Sequence, residues 1–371
     1  MQAARLMQSR PGPDVCTLAD NVLSTSITAS SIGLHMNLAV RPTSGLSYGV
    51  IRSHSYSKAG KLIIWRDIET SKGVFDWSVA DEWIDAHYGD GKDIIVELSG
   101  TPDWAVSAPA VGGAAWGGKS NMPPDNDSDY SDFVGAFAAR YAGKVTAYEG
   151  WNEPNLAKYW AGAAATSARL ASLQRIYCQA VKAADPAALV LSPSFTSVFG
   201  GVSGLTSYLA ASDGAGGTGK AWFDVCAYHF YANDSALRPT GLERMYRGVS
   251  QALAAAGLSK DIWATETGVI VPNFKTLDAA VRTMLVRAYL PTLFALGCKR
   301  VLWFAVDESA IGFAGETPAD WNAVYAALVG RTIARGRLET LNQTTLQTDL
   351  MFTDGAKLSA TVTDMPRVAE T

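Results

Sequence analysis

The fold is indicated most clearly by the stretch Val145-Thr146-Ala147-Tyr148-Glu149-Gly150-Trp151-Asn152-Glu153-Pro154-Asn155. Its first seven residues, Val145 to Trp151, are mostly apolar or aromatic and indicate a short buried β-strand. Pro154 ends the strand, because proline has no backbone N–H for a strand ladder. We therefore expect Asn152 and Glu153 to lie at the C-terminal end of this strand.

Seven other segments give the same signal, a short apolar or β-branched run followed by a longer amphipathic stretch. Together with Val145–Trp151, the predicted strands are Ile32–Asn37, Gly49–His54, Asp93–Ser99, Ala188–Pro193, Phe223–Phe230, Asp261–Glu266 and Arg300–Val306. The intervening stretches place apolar residues three and four apart, which is typical of helices packed on a sheet. One such helix is expected to begin at Ser78, where Ser78 and Asp81 resemble a capping box. Eight β-α units predict an α/β protein, a closed (β/α)8 TIM barrel.

The barrel is expected to span residues 31–333, and the two ends of the chain have other patterns. Residues 1–30 show no regular periodicity, so we expect an irregular N-terminal segment. Within 334–371, the turn Thr353-Asp354-Gly355 separates two apolar runs and predicts a β-hairpin. We therefore expect a short β-rich tail and not a full domain. The loop 106–129 is too long for a simple connection, and loops of that size are usually functional.

Composition excludes several classes of protein. The chain has 371 residues, 48% hydrophobic and 18% charged, so it can bury a large core. Its net charge of −4 is spread without long runs, so we expect no nucleic-acid partner. We find no stretch of about 18 uncharged apolar residues, and Met1–Arg10 lacks a signal-peptide core. No membrane span is expected. Oligomeric state and localisation stay open, with secretion an option if the N-terminus was trimmed.

Metal and nucleotide sites have little support in the sequence. The four cysteines lie far apart, and the four histidines form no HxH or HxxxH pair, so we expect no zinc site, no disulfide scaffold and no cofactor. Residues Gly113 to Ser120 match the phosphate-loop formula GxxxxGK[ST]. Pro109 precedes this loop and Pro123-Pro124 follows it, so the strand and helix that a phosphate loop requires are missing.

Two glutamates stand out at the predicted strand ends. Catalytic side chains in such barrels lie at the C-terminal ends of the strands. Glu153 follows the fourth strand, and Glu266 ends the seventh just before Gly268. Carboxylates three strands apart can face each other across the mouth, and a pair about 5 to 5.5 Å apart is what a retaining glycosidase uses. Either glutamate alone could be a capping or ion-pair residue, but their matching contexts favour a catalytic pair.

The motifs around these glutamates resemble those of the retaining (β/α)8 glycoside hydrolases of clan A, and most of all glycoside hydrolase family 39. The matching segments are Asn152-Glu153-Pro154, Glu266 at its strand end, Trp65 to Trp77, Gly100 to Ala105, His229-Phe230-Tyr231, and Arg52 with His54. The similarity covers about residues 32–333. Members of family 39 usually continue into a β-sandwich, whereas only about 38 residues follow the barrel here.

The resemblance implies catalytic roles for the matching residues. Glu153 would be the acid/base, and Glu266 the nucleophile. Asn152 would donate a hydrogen bond to the sugar 2-hydroxyl, and Arg52 and Tyr231 would keep Glu266 ionised. These residue types suit their roles, because a nucleophilic carboxylate needs a positive charge and hydrogen bonds that lower its pKa.

Other residues are expected to bind or surround the sugar. His229 and His54 would line the site, and Trp303, at the end of the eighth strand, would be a platform under the reacting sugar. Trp104 is expected to support substrate binding. Weaker subsite candidates are Asp103, Trp116 and Asn155, with His35 as a wall residue.

The expected function is hydrolysis of β-linked oligo- or polysaccharide through a covalent glycosyl-enzyme, without cofactor or metal. Trp104 and Trp116 could extend a cleft, which favours internal cleavage of a chain. The alternatives are an exo-acting β-xylosidase or β-glucosidase, and a carbohydrate-binding barrel that has lost catalysis. A Schiff-base lyase or aldolase needs a lysine inside a strand, and no lysine lies at a suitable strand end.

Overall fold

The structure is a computed structural model that describes residues 16–37, 45–54, 56–197, 200–231, 240–269, 277–305, 318–342 and 345–363. In those ranges the strands are β1 (Cys16–Ser26), β2 (Ile32–His35), β3 (Val50–Arg52), β4 (Ser57–Lys58), β5 (Lys61–Leu62), β6 (Glu69–Ser71), β7 (Val74–Phe75), β8 (Asp93–Glu97), β9 (Ala147–Glu149), β10 (Leu189–Leu191), β11 (Phe195–Thr196), β12 (Cys226–Tyr231), β13 (Ile262–Gly268), β14 (Arg300–Trp303), β15 (Thr332–Asn342), β16 (Thr345–Phe352) and β17 (Lys357–Thr363). The helices are α1 (Trp65–Ile68), α2 (Ser78–Gly89), α3 (Asp127–Arg140), α4 (Ser167–Ala184), α5 (Gly201–Ala210), α6 (Thr240–Ala255), α7 (Ala279–Leu296) and α8 (Pro318–Leu328).

All eight predicted barrel strands are present, as β2, β3, β8, β9, β10, β12, β13 and β14. They run parallel in the order β10-β9-β8-β3-β2-β14-β13-β12. The two ends of this sheet meet, since Asp224 N donates to Val190 O (2.7 Å) and Ser192 N donates to Val225 O (3.0 Å). Strand β11 continues β10 and pairs with β12. The last residue of the final predicted strand, Val306, lies outside the described residues.

Side-chain alternation along the strands fixes what points into the barrel. The interior cluster consists of Val50, Ile95, Ala147, Leu191, Val225, Ala227, Trp263 and Leu302. Arg52 and Glu149 lie two residues beyond Val50 and Ala147 on the same strands, so they face the same space. The register that fills the barrel with apolar residues thus places two charged side chains at its C-terminal mouth.

The N-terminal segment differs from the prediction of irregular structure. Cys16–Ser26 is strand β1, and it pairs antiparallel with β15. Strands β15, β16 and β17 follow in a meander, so the C-terminal residues form a four-stranded sheet with β1 and extend beyond a single hairpin. The pattern of β1 is hard to read because its inward positions include polar residues. Asn21, for example, donates to Ala295 O of helix α7 (2.9 Å).

Helix α2 begins at Ser78 as predicted, but the predicted capping box is wrong. The N-cap residue is Trp77, and Ser78 is the first residue of the helix. Asp76 Oδ1 accepts hydrogen bonds from Ser78 N (3.0 Å) and Ser78 Oγ (2.6 Å). A carboxylate two residues upstream therefore satisfies the first helical N–H.

Helix α7 is long and apolar enough to cross a membrane by length and composition. It packs between barrel strands β13 and β14 on one side and strands β15 to β17 on the other. Because 61% of the helix is buried inside the protein, it has the environment of a core helix, and its composition is weak support for a membrane span.

Candidate active site

Glu153 and Glu266 come together at the C-terminal mouth of the barrel. One carboxylate oxygen of each lies within 4.8 Å of the other, and both residues are buried. Glu153 has a backbone φ of 39°, a left-handed conformation that is unfavourable for a residue other than glycine. Hydrogen bonds hold it there, from Glu153 N to Ser194 O (2.8 Å) and from Leu156 N to Glu153 O (2.9 Å). The backbone is thus shaped to present this carboxylate.

Glu266 is surrounded by groups that favour its ionised form. Arg52 Nη1 donates to Glu266 Oε1 (2.5 Å), and the Tyr231 hydroxyl donates to Oε2 (2.6 Å). Burial raises the pKa of Glu266, but the charges of His229 and Arg52 lower it more, so the pKa lies well below its ordinary value. The structure therefore brings together the three residues that the sequence grouped around the seventh strand.

Glu153 has a different set of neighbours. His229 Nδ1 lies 2.9 Å from Glu153 Oε1, and the half-exposed Lys158 ammonium lies 4.0 Å from Oε2. The same imidazole nitrogen is 3.3 Å from Glu266 Oε2, so His229 bridges the two carboxylates. Burial lowers the pKa of His229, but the surrounding carboxylates raise it more, to about 9. The two glutamates thus share a cation, but only Glu266 has an arginine and a tyrosine as well.

A third carboxylate, Glu149, was missed by the sequence analysis. It is fully buried, and its two oxygens accept hydrogen bonds from Arg52 Nε (2.8 Å) and Nη2 (2.7 Å). Burial raises the pKa of Glu149, but the Arg52 charge lowers it more, to about 2. One signal could have revealed it, because Glu149 shares the inward face of its strand with Ala147, where a charge is out of place.

Asn152, which is fully buried, contacts the same arginine. Its Oδ1 accepts a hydrogen bond from Arg52 Nη2 (3.1 Å), which orients the amide group. The amide nitrogen is buried and has no hydrogen-bond partner within the described residues. Buried polar groups are normally paired, so this nitrogen is a donor available to a ligand.

An aromatic wall lies beside the carboxylates. The ring of His54, which follows β3, lies 5.6 Å from that of Trp116 and 5.9 Å from that of Tyr159, centre to centre. His54 Nδ1 contacts Glu97 Oε2 (3.4 Å) at the end of β8. Trp116 belongs to the long loop 106–129, so this loop contributes to the mouth of the barrel. Sequence reasoning missed Glu97 and Tyr159.

The platform role predicted for Trp303 is wrong. Its side chain is fully buried and packs edge-on against Tyr289 of helix α7, with 5.6 Å between ring centres. Leu302 fills the barrel interior, so alternation turns Trp303 outward and Phe304 inward. The Phe304 ring lies 5.2 Å from that of His35, which in turn contacts Thr265 O through Nε2 (2.7 Å).

Three further subsite candidates have structural partners. Trp104 Nε1 donates to Glu69 O (3.0 Å), and the half-buried ring packs against Trp65. Asn155 uses both ends of its amide on the backbone of Thr196. Asp103 Oδ1 accepts a hydrogen bond from Lys119 N (2.7 Å). These contacts hold loops together and do not direct the side chains at Glu153 or Glu266.

One group of side chains has a spacing that a metal ion could bridge. Glu153, His229 and Glu266 each offer a ligand atom, and the three atoms lie within 4.8 Å of one another. The Arg52 guanidinium already neutralises Glu266 at 2.5 Å, and His229 has a pKa of about 9, so at neutral pH it is a cation. Because Arg52 and His229 already supply two positive charges, these residues fit a metal cation poorly.

Comparison with known proteins links the fold to glycoside hydrolases. No protein-family model matches the sequence, and the search of curated proteins found no match. Similar solved structures include a glucosidase from Croceicoccus marinus, with 12% identity, 95% of this chain and 86% of that chain covered, and a TM-score of 0.60. A monomeric β-xylosidase from Caulobacter crescentus has 17% identity, covers 89% of this chain and 75% of its own, and has a TM-score of 0.62.

A third similar structure comes from the family that the motifs resemble. It is the glycoside hydrolase family 39 enzyme from Xanthomonas axonopodis pathovar citri, with 17% identity, 94% and 77% of the two chains covered, and a TM-score of 0.60. At these identities the likeness establishes the fold. The predicted (β/α)8 barrel fold is therefore confirmed.

Proposed function

We propose that the protein is a retaining β-glycoside hydrolase with Glu153 as acid/base and Glu266 as nucleophile. The observation that carries this proposal is the distance between the two carboxylates, whose oxygens lie within 4.8 Å of each other at the barrel mouth. Retaining enzymes place these groups about 5 to 5.5 Å apart, whereas inverting enzymes leave roughly 6.5 to 9.5 Å for a water molecule. One oxygen of each carboxylate lies within 4.8 Å of the other here, which supports the retaining arrangement.

The neighbours of Glu266 support its role as the nucleophile. In the first step an oxygen of Glu266 forms a bond to the anomeric carbon, the glycosidic bond breaks, and the Glu153 proton goes to the departing oxygen. In the second step Glu153 takes a proton from water, whose oxygen displaces Glu266. Arg52 and Tyr231 hold Glu266 ionised, as a nucleophile requires. The unpaired amide nitrogen of Asn152 is a suitable donor to the sugar 2-hydroxyl.

Azide rescue of two alanine variants tests the assignment. Glu153→Ala should still react quickly with an activated aryl glycoside in the first step, because an acidic phenol departs unaided. It should then stall, and azide should restore turnover and give a glycosyl azide of retained configuration. Glu266→Ala should be inactive on every substrate. As a matched control, Glu97→Ala removes a buried carboxylate of the same mouth that contacts His54, and azide should not restore its activity.

The opposite pattern would overturn the roles. Rescue of Glu266→Ala with inverted product, and none of Glu153→Ala, would mean that the acid/base and the nucleophile are exchanged. A wild-type protein that binds oligosaccharides but hydrolyses none would favour a carbohydrate-binding barrel instead. Both glutamates and their partners are present, which speaks against that alternative.

Trp116 and Tyr159 bear on the choice between chain and monosaccharide substrates. Their rings lie 5.2 Å apart beside His54, and Trp116 is only partly buried, so it offers an aromatic face to a second sugar. We expect internal cleavage of a β-linked chain, with Trp116 in a subsite next to the reacting sugar. Among the similar structures, two are a β-xylosidase and a glucosidase, so aryl β-xylosides and β-glucosides belong in the first substrate panel.

Trp116→Ala separates these two modes of action. For a chain-cleaving enzyme, we expect it to lower kcat/KM about tenfold or more on an oligosaccharide and to leave kcat/KM on an aryl monoglycoside within about twofold. Trp104→Ala is the control, since the Trp104 ring is held by Trp65 and Glu69. Release of monosaccharide alone from a long chain, with equal losses on both substrates, would favour the exo-acting alternative.

A further inference from the structure

Glu149 is a buried carboxylate next to the candidate catalytic residues. It follows Ala147 on the inward face of β9, four residues before Glu153, and it is fully buried. Both of its oxygens face the Arg52 guanidinium, at 2.7 Å and 2.8 Å. No step of the proposed reaction uses this carboxylate, although a buried charge is expensive unless it is paired.

The geometry of the ion pair determines where Arg52 points. A guanidinium is planar and has five N–H donors in a fixed arrangement. Glu149 binds the edge formed by Nε and Nη2, so the plane of the group is set and Nη1 is left for Glu266 at 2.5 Å. An arginine without this bidentate partner could reach Glu266 in several orientations. Glu149 removes that freedom.

Glu149 also contacts the strand that carries the nucleophile. Thr265, the residue before Glu266, has its hydroxyl 3.3 Å from Glu149 Oε1. The same oxygen lies 3.6 Å from Nε2 of His229, whose Nδ1 faces Glu153. One carboxylate therefore contacts the cation beside the nucleophile and the cation that bridges both glutamates.

We infer that Glu149 is a positioning residue, which orients Arg52 so that its Nη1 holds Glu266 for attack. This inference rests on the proposed function. Glu149 itself does not touch the sugar, since it is fully buried and both of its oxygens are bonded to Arg52. Its contribution to the rate passes through Arg52, and that makes it separable from a purely structural role.

A double-mutant cycle tests this pathway. The variants are Arg52→Met, Glu149→Gln and the double variant, measured with the activated aryl glycoside that the wild type hydrolyses fastest. We expect Glu149→Gln to lower kcat about 100-fold, as loss of a positioned donor does elsewhere, and to change KM less than about threefold. Because both changes disable the same contact, the double variant should retain a kcat within about threefold of that of Arg52→Met alone.

Glu97→Gln supplies the matched control. Glu97 is the register partner of Glu149 on the adjacent strand and is equally buried. It bonds to His54 and makes no hydrogen bond to Arg52, with which it interacts through its charge alone. The fold loss in kcat caused by Glu97→Gln should therefore multiply with the fold loss caused by Arg52→Met. If the losses from Glu149→Gln and Arg52→Met also multiply, Glu149 acts independently of Arg52 and the inference is wrong.

The experiment also gives a result if a variant fails to fold or if the wild type is inactive. Glu149→Gln removes one of the two carboxylate partners of the buried Arg52 guanidinium and can fail to fold. The double variant lacks both charges of the Arg52–Glu149 pair, so its comparison with Arg52→Met still decides. If Arg52→Met itself does not fold, Arg52→Lys takes its place in the cycle. A wild type that hydrolyses no glycoside overturns the proposed function and this inference together, whereas an active wild type with multiplying losses overturns only the inference.

Discussion

Arg52 is a central positive charge of the candidate site. Its guanidinium contacts Glu149, Glu266 and Asn152, all of them buried. A cation in this position favours the ionised carboxylate over the neutral one and lowers the pKa of Glu266. Glu266 therefore stays ionised at pH values well below neutrality, as its proposed role of nucleophile requires.

We predict that Arg52→Met moves the acidic limb of the pH profile of kcat/KM to higher pH. Loss of the positive charge raises the pKa of Glu266, so the carboxylate remains protonated and unreactive over a wider acidic range. An opposite charge at this distance is worth about 1 to 3 pH units. Arg300→Met is the matched control, because Arg300 pairs with Asp93 at the other end of the barrel. An acidic limb that stays in place would leave Arg52 with a structural role only.

Trp303 and Phe304 show how one position along a strand changes the role of an aromatic residue. Trp303→Ala should lower the free energy of unfolding by about 3 to 5 kcal/mol, the range for truncating a buried aromatic side chain. It should not raise KM in the folded enzyme, because the ring packs on Tyr289 behind the barrel. Phe304→Ala should have the opposite effect. It should raise KM, and in chemical denaturation it should lower the free energy of unfolding by less than Trp303→Ala does. A higher KM for Trp303→Ala would contradict this register.

At the level of elements, the sequence predicted all eight barrel strands because each apolar run precedes an amphipathic helix. It could not predict which face of the last strand is inward. Arg300 to Val306 is apolar on both faces, as expected for a parallel strand buried on both sides, so periodicity did not separate Trp303 from Phe304. The error in the platform residue has this cause.

The candidate site was predicted in part for a related reason. Glu153 stands out because it follows its predicted strand, and Glu266 because it ends its own. Glu149 and Glu97 lie within the predicted strands Val145–Trp151 and Asp93–Ser99, although in the structure they are the last residues of β9 and β8. Their contacts to Arg52 and His54 join residues that are 97 and 43 positions apart in the chain. Such pairs depend on strand order and register, and neither can be read from local sequence.

Helix α3 begins at Asp127, so the predicted loop 106–129 is irregular over residues 106–126, and this part illustrates how such a segment is held in place. Asn121 is buried, and its amide donates to Ala157 O (2.9 Å), while its backbone oxygen accepts from Ala161 N (2.7 Å). Ala115 N donates to Lys158 O (2.9 Å). The loop is thus bonded to the segment that follows Glu153, and Trp116 is brought to the barrel mouth by backbone contacts that composition does not reveal.

For the molecule as a whole, the sheet of β1 and β15 to β17 supports the barrel through helix α7. Gly336 of β15 lies so near this helix that a Cβ atom there would be 2.4 Å from Ala295 O. Helix α7 packs in turn on β13 and β14, the strands that carry Glu266 and Trp303. Within the described residues, the sheet therefore backs the side of the barrel that carries Glu266 and contributes no residue to the candidate site.

We predict that deletion of residues 1–26 destabilises the whole protein while leaving the chemistry of its folded fraction intact. The deletion removes β1, exposes the edge of β15, and leaves Ala295 O without its bond from Asn21. An unpaired edge strand invites association with other chains, so we expect a lower Tm and more aggregation in thermal unfolding and light scattering. Active-site titration should give an unchanged kcat per folded molecule. Asp20→Ala, which breaks only an exposed ion pair with Arg335, should change Tm little. If the deletion variant keeps the wild-type Tm, or if its folded fraction loses kcat, then β1 does not act by supporting helix α7.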